Sequence, residues 1–124
     1  MALAHAPAGT VVYAGALGAD LAQAQTATLV NEPGLQVFRL VMDAGKVMAE
    51  HSVPEHLVMQ CLEGLIVLRA HGSDLSLAPG DLCHLQPGEP HAVTATTASS
   101  ALVTLVGQRS GAPTRSSASE ESSS

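Results

Sequence analysis

Turn signals recur along this chain at intervals too short to leave room for a long helix. Each places glycine beside proline or a polar residue, as in Pro33-Gly34, Glu63-Gly64, Pro79-Gly80 and Pro87-Gly88. The segments between these turns are short and apolar. Short apolar segments that recur about every 8–12 residues between turns are typical of a β-sandwich or a closed barrel. The sequence therefore predicts an all-β fold.

The predicted strands fill the segments between the turns. Residues 35–42 (LQVFRLVM) carry β-branched and aromatic side chains, and residues 71–74 are predicted to form a hairpin loop. Asp20 is placed to cap one or two helical turns at residues 21–25. Residues 10–17 are predicted to form a short extended piece or an edge strand, and the further predicted strands are 26–30, 35–42, 57–62, 65–70, 75–77, 82–85, 91–97 and 101–106.

The length of 124 residues predicts one domain, because domains usually contain about 100–200 residues. Residues 26–108 contain the predicted strands and form a barrel domain, which follows an N-terminal arm at residues 1–25. Residues 109–124 are Ser-rich, with Gly, Pro and two Glu. A composition this polar predicts a disordered tail.

Charge and hydrophobicity restrict the partners. The hydrophobic fraction is 46% and the charged fraction only 13%, so part of the surface must be apolar, which predicts a homodimer. The net charge is −6, and the five basic residues are scattered along the sequence rather than clustered. A nucleic acid or an anionic membrane surface is therefore not an expected partner.

The cysteines and the N-terminus predict a cytoplasmic protein. Cys61 and Cys83 do not form a CxxC motif, and each lies in an apolar run that suits a reduced, buried thiol. Residues 1–10 lack the positively charged opening of a signal peptide. No apolar run in the sequence approaches the roughly 20 residues of a membrane span.

Two glycine–histidine motifs suggest a family. In the first, Gly45 is followed after five residues by His51 and later by Gly64. In the second, residues 80–91 (GDLCHLQPGEPH) run from a Gly-Asp turn through Pro-Gly to His91. These motifs resemble the two conserved motifs of the cupin superfamily, and the resemblance covers residues 26–107. It implies a small β-barrel of the double-stranded β-helix type, which is usually dimeric.

The resemblance also implies where a metal would bind. In cupins, two histidines and a glutamate from the first motif and one histidine from the second hold a divalent metal. His51 matches the first of these ligands and His91 the last. The second histidine position falls on Val53 and the glutamate position on Leu57. The first motif is therefore degenerate.

Nearby residues offer substitutes for the missing ligands. A site of His51, His56 and His91, with Glu55 as a further candidate ligand, would bind one divalent transition metal, Fe, Mn, Ni or Zn. Successive strand residues point to opposite faces, so His56 shares its face with Gln60 unless a bulge or a bend rotates it inward. The same alternation separates His84 from Cys83, so that one points inward and the other outward.

Three functions are compatible with these residues. The first is a metal-dependent cupin enzyme, resembling the dioxygenases and isomerases of the superfamily, whose metal would polarise a small organic molecule or activate O₂. The second is a metal-free module that binds a small molecule, anchored by the two matched histidines. The third is a barrel that acts through its oligomeric surface. The residues predicted to line the cavity are Val53, Leu57, Met59, Gln60 and Val93.

Overall fold

The computed structural model describes residues 6–107, and β-strands account for most of that range. The strands are β1 (Ala27–Glu32), β2 (Leu35–Met42), β3 (Val47–His51), β4 (His56–Glu63), β5 (Ile66–Ala70), β6 (Ser73–Leu77), β7 (Leu82–Leu85), β8 (His91–Ala95) and β9 (Ser99–Val106).

The strands form two antiparallel sheets. The first sheet has the order β1-β2-β9-β4-β7, and the second has the order β3-β8-β5-β6. The prediction of an all-β barrel is confirmed, although β3 was not among the predicted strands. None of the helices in the described part of the chain is long and apolar enough to span a membrane. The Ser-rich tail predicted at residues 109–124 lies outside the described residues.

The core lies between the two sheets, on what we call the inner face of each. In β4, Leu57, Met59 and Cys61 are at most 4% exposed, whereas the residues between them are half-buried. This alternation follows from the two-residue period of a strand. The buried apolar residues are Leu40, Met42, Leu57, Met59, Cys61, Ile66, Leu68, Ala70, Leu77, Leu85, Val93, Ala95, Ala101 and Val103.

Two turns depend on left-handed backbone conformations. Between β5 and β6, His71 and Gly72 have φ of 57° and 72° and connect the paired residues Ala70 and Ser73. Two central residues with positive φ are typical of the type I′ turn of a hairpin. Gly64, with φ of 86°, ends β4 where the chain passes close to Ser99.

The arm is held against the first sheet by Glu63. Its carboxylate accepts hydrogen bonds from the backbone N–H groups of Leu17 (2.9 Å) and Gly18 (3.0 Å) and from the Ser100 hydroxyl. These N–H groups begin the short 3₁₀ helix Gly18–Gln23, which has no side-chain cap. The prediction that Asp20 caps a helix at residues 21–25 was therefore wrong. The acceptor is the carboxylate of Glu63, which lies 43 positions after Asp20 in the sequence.

The environment of Glu63 favours its ionised form. Partial burial opposes ionisation, but the hydrogen bonds from Ser100, Leu17 and Gly18, together with the positive charge of Arg39, outweigh it and lower the pKa of Glu63. Arg39 in turn donates to the backbone carbonyls of Tyr13 and Gly15, at 3.1 Å each. Charge and hydrogen bonding thus tie the arm to the strands.

Candidate functional site

The structure brings His51 and His91 together. His51 ends β3 and His91 begins β8, and the two residues are directly opposite each other in the antiparallel pair. Their ring centroids are 4.5 Å apart, and the ring planes are inclined at 54°. His91 is only 2% exposed, whereas His51 is exposed. The pair therefore extends from the protein interior to solvent.

A bulge in β3 turns His51 toward its partner. Met48 lies opposite Val93, and three residues later His51 lies opposite His91, which is only two residues from Val93. A regular ladder would have placed Glu50 opposite His91. Because side chains alternate between the two faces with a period of two, the extra residue moves the later side chains of β3 to the opposite face. His51 consequently shares the inner face with buried Val93 and His91.

The turn before β8 is fixed by the loop that follows β3. The Gly88 N–H donates to the Val53 carbonyl at 2.7 Å. The Gln86 N–H donates to the Glu89 carboxylate at 2.9 Å, which closes the Pro-Gly turn. The Gly88–Val53 hydrogen bond therefore connects the segments that carry His51 and His91 at a second point, beyond the β3–β8 ladder.

Both imidazoles are oriented by backbone carbonyls. His51 Nδ1 lies 3.2 Å from the Ala49 carbonyl oxygen, and His91 Nδ1 lies 3.1 Å from that of Glu89. A carbonyl oxygen can only accept, so Nδ1 is the donor in each contact and carries the proton. In a neutral ring, Nε2 then has a free lone pair. The geometry leaves two Nε2 atoms able to accept from a ligand.

The other residues expected to bind metal are not brought to this pair. His56 lies on the opposite, outer face of the first sheet, where its Nδ1 is 3.0 Å from His84 Nε2. Glu55 lies beside Gly107 and lines a cleft of about 160 Å³ with Gln36 and Leu105. Neither a bulge nor a bend rotates His56 inward, because the β4–β9 ladder is regular from His56 to Cys61.

The four-ligand metal centre that the resemblance implies does not fit this chain. Leu57, at the expected glutamate position, is 4% exposed and belongs to the core. Val53, at the expected second histidine position, packs against that core. Within residues 6–107, no group of three or more His, Cys, Asp or Glu side chains is arranged to hold a metal ion. Two of the four donors are thus replaced by hydrocarbon.

The residues predicted to line a cavity are divided between different environments. Leu57, Met59 and Val93 are at most 4% exposed and pack in the core. Val53 is partly buried at the loop that contacts Gly88. Gln60 is half-buried on the outer face, two residues from Val58, as strand alternation predicted.

A second concave surface was not predicted from the sequence. A cleft of about 540 Å³ lies on the outer face of the second sheet, where Arg69 and Ala92 project beside Glu50 and the hairpin loop. His71 Nε2 contacts the carboxylate of Glu89 across it, and the Glu89 side chain is only 11% exposed. In the sequence, only the position of Glu89 in the Pro-Gly-Glu-Pro turn indicated that its carboxylate could lie at such a surface.

The thiols are poorly placed for chemistry. Burial raises the pKa of Cys61 and of Cys83, and nearby carboxylates add to the effect. Both cysteines are free, with Cys61 in the core and Cys83 packed against it. His84, the neighbour of Cys83, points outward, as the alternation of a strand predicted.

Comparisons with known proteins agree with this architecture. A conserved protein of unknown function from Streptococcus pyogenes is 26% identical, with a TM-score of 0.66, over 81% of this chain and 93% of that chain. The DMSP lyase DddQ from Ruegeria pomeroyi is also 26% identical, with a TM-score of 0.62, over 79% of this chain and 55% of that chain. A cupin superfamily protein from Desulfitobacterium hafniense shares the fold at 16% identity, with a TM-score of 0.63, over 65% of this chain and 74% of that chain.

The sequence also matches a family model. A comparison with curated protein sequences finds no match. The model that describes the AraC-like ligand binding domain matches residues 35–116, which is about two-thirds of the 124 residues. This range includes both histidine motifs and eight of the nine strands, β2 to β9. The chain therefore belongs to the family of AraC-like ligand-binding domains, and its barrel is of the cupin type.

Proposed function

We propose that this chain is a binding domain for a small polar molecule, with His51 and His91 as a paired anchor. One observation carries the proposal: the two rings face each other at 4.5 Å, and both Nδ1 atoms are engaged by backbone carbonyls. Such an arrangement commits each ring to one orientation and leaves both Nε2 atoms for a ligand. Membership in a ligand-binding family supports the same function.

The surroundings indicate the chemical class of the ligand. Two neutral imidazoles accept hydrogen bonds through Nε2, which suits neighbouring hydroxyl groups of a polyol, a sugar or a hydroxy acid. Met48 and Val53 are partly buried near the pair and supply apolar contact for a carbon skeleton. A few polar groups among apolar neighbours are typical of small-molecule sites.

A metal at this pair would have an incomplete protein shell. His51 and His91 are the only two of the four cupin ligand positions that retain donors. An Fe, Mn, Ni or Zn ion held there would take its remaining ligands from water or from the bound compound itself. A metal could therefore assist binding, but the two imidazoles do not require one to accept hydrogen bonds from a ligand.

The apolar surface supports self-association. Val47 is 62% exposed and lies on β3, an edge strand of the second sheet. A second copy is the partner we propose for this strand, because exposed apolar strand faces are commonly buried between subunits. Sedimentation at micromolar concentration should give the dimer mass. We also propose a cytoplasmic location, in keeping with two free thiols.

Long-range ¹H–¹⁵N NMR of the imidazole rings tests the anchor directly. At mildly alkaline pH, the rings of His51 and His91 should both carry the proton on Nδ1, because each Nδ1 donates to a carbonyl. Addition of monosaccharides, polyols and hydroxy acids, one at a time, should shift the Nε2 resonances of both rings for the compounds that bind. The reverse tautomer in both rings would refute the proposed orientation.

Titration of variants with a binding compound then measures how much His51 contributes to the binding free energy. His51→Ala should weaken a binding compound about five- to tenfold, the equivalent of one hydrogen bond of about 1–1.4 kcal/mol. His84→Ala is the matched control, since that histidine is exposed on the outer face of the first sheet, away from the pair. Titrations are repeated with added Zn²⁺ and after chelation. Equal affinity in the wild type and in His51→Ala would show that the pair is not the anchor.

A further inference from the structure

A second imidazole pair lies outside the candidate site. His56 of β4 and His84 of β7 project from the outer face of the first sheet, and we call them the outer pair. His84 is directly opposite Val58, so His56 is its diagonal neighbour. The rings are nearly parallel, at 22°, with centroids 5.2 Å apart. His56 Nδ1 and His84 Nε2 are 3.0 Å apart.

This separation matches the spacing of two adjacent ligands on a metal ion. Imidazole nitrogens bind first-row metals at about 2.0–2.1 Å, so two nitrogens at a right angle around one ion are about 2.9 Å apart. The observed distance is 3.0 Å. Right angles between nitrogen ligands are typical of square-planar or tetragonal Cu²⁺ and Ni²⁺ sites.

We propose that the outer pair is a surface binding site for a divalent transition metal, with preference for Cu²⁺ and Ni²⁺. His56 binds through Nδ1 and His84 through Nε2, and water occupies the remaining positions. This site is independent of the proposed anchor, because the buried side chains of Leu57 and Leu85 lie on the other face of the same strands.

The strands hold the two donors in place before metal arrives. β4 and β7 pair in register over four residues, from Leu57–Leu85 to Gln60–Leu82, and β4 is paired on its other side with β9. Once one imidazole has bound the ion, the second is already within reach, so the second bond forms as an intramolecular step. Neither histidine alone has this advantage.

Metal binding must replace the hydrogen bond within the pair. In the free protein, an N–H group of one ring donates a hydrogen bond to the other ring across the 3.0 Å contact. A metal needs a lone pair on both of these nitrogens, so the donor ring must change tautomer and carry its proton on its other nitrogen. The rings must turn so that both lone pairs point to one side of the line that joins them, and the broad χ2 preference of histidine permits this rotation.

Calorimetric titration of the untagged full chain with NiCl₂ tests the proposal. The expected result is one site in the wild type, with affinity at least about tenfold lower in His56→Gln and in His84→Gln, because each variant removes one of two chelating nitrogens. His71→Gln is the matched control and should bind as the wild type does.

Paramagnetic broadening by Ni²⁺ locates the ion. Amide NMR signals of β4 and β7 around His56 and His84 should broaden first. Unchanged affinity in both single variants would overturn the proposal. So would broadening centred on His51 and His91, since that result assigns the metal to the other pair. Circular dichroism of each variant verifies the β-fold, and both substituted side chains project from the outer face, which also carries Gln60.

Discussion

Two glycines of the first motif, Gly64 and Gly45, should respond very differently to the same substitution. Both have left-handed backbones, with φ of 86° and 82°. A Cβ at Gly45 would meet nothing within 4 Å. A Cβ at Gly64 would be 2.8 Å from Ser99 Cα and would also clash with the Ala98 carbonyl oxygen and the Ser99 hydroxyl. Gly64→Ala therefore adds a steric cost to the conformational one.

The magnitudes follow from this geometry. For either alanine, the left-handed backbone costs about 1–2 kcal/mol, partly offset by about 0.4–1 kcal/mol from the lower entropy of the unfolded chain. At Gly64, overpacking adds about 1–3 kcal/mol. Displacement of Ser99 also weakens the hydrogen bond from the Leu65 N–H to its hydroxyl (3.1 Å), at about 1 kcal/mol. We expect losses of about 1 kcal/mol for Gly45→Ala and about 3–5 kcal/mol for Gly64→Ala.

Urea unfolding followed by circular dichroism measures this difference. The two variants and the wild type should show the same dependence on urea concentration, with midpoints in the order wild type, Gly45→Ala, Gly64→Ala. Equal midpoints for the two variants would refute the reasoning, since they differ only in the atoms that the new Cβ meets. A stable Gly64→Ala protein would mean that β9 can move away from the end of β4.

Three further predictions follow. Because the pKa of Glu63 is lowered in the folded state, its contribution to stability is complete above the ordinary carboxyl range and is lost as pH falls through the lowered value. The urea midpoint of Glu63→Gln should therefore fall less at acidic pH than the midpoint of the wild type does. Parallel pH profiles of the two midpoints would contradict this. Alkylation at neutral pH should be slow for both thiols, with Cys83 modified before the fully buried Cys61; mass spectrometry that finds Cys61 labelled first would contradict that order. Leu68→Ala, at a fully buried position, should lower the free energy of unfolding by about 2–5 kcal/mol; a loss below about 1 kcal/mol in urea would show that the core closes around the gap.

Much of the architecture was predictable because local chemistry determines it. Pro33-Gly34 and His71-Gly72 each form the turn that their sequence predicts, and the strands on either side pair as hairpins. The alternation of apolar and polar residues in β4 correctly placed His56 and Gln60 on the face opposite Leu57. These features depend on a few consecutive residues, so a short window of sequence contains the information that they need.

β3 was missed because its sequence carries little strand signal. Val47–His51 has a burial pattern in which four of the five residues are exposed and only Met48 is half-buried. Among the described strands it pairs with β8 alone, at the edge of the second sheet. Its conformation is set by pairing with a segment 40 to 47 residues away, which no local pattern reveals.

The sequence by itself determined the turns, the two-residue alternation of the strands and the motif spacing that marked His51 and His91. Only the tertiary structure decided what those side chains meet: a bulge in β3 turns His51 toward His91, and the pairing of β4 with β7 places His56 beside His84. The physical reason is the range of the interactions. Turn and strand preferences act between neighbours in sequence, whereas bulges and strand partners are settled by how distant segments share hydrogen bonds and bury apolar surface.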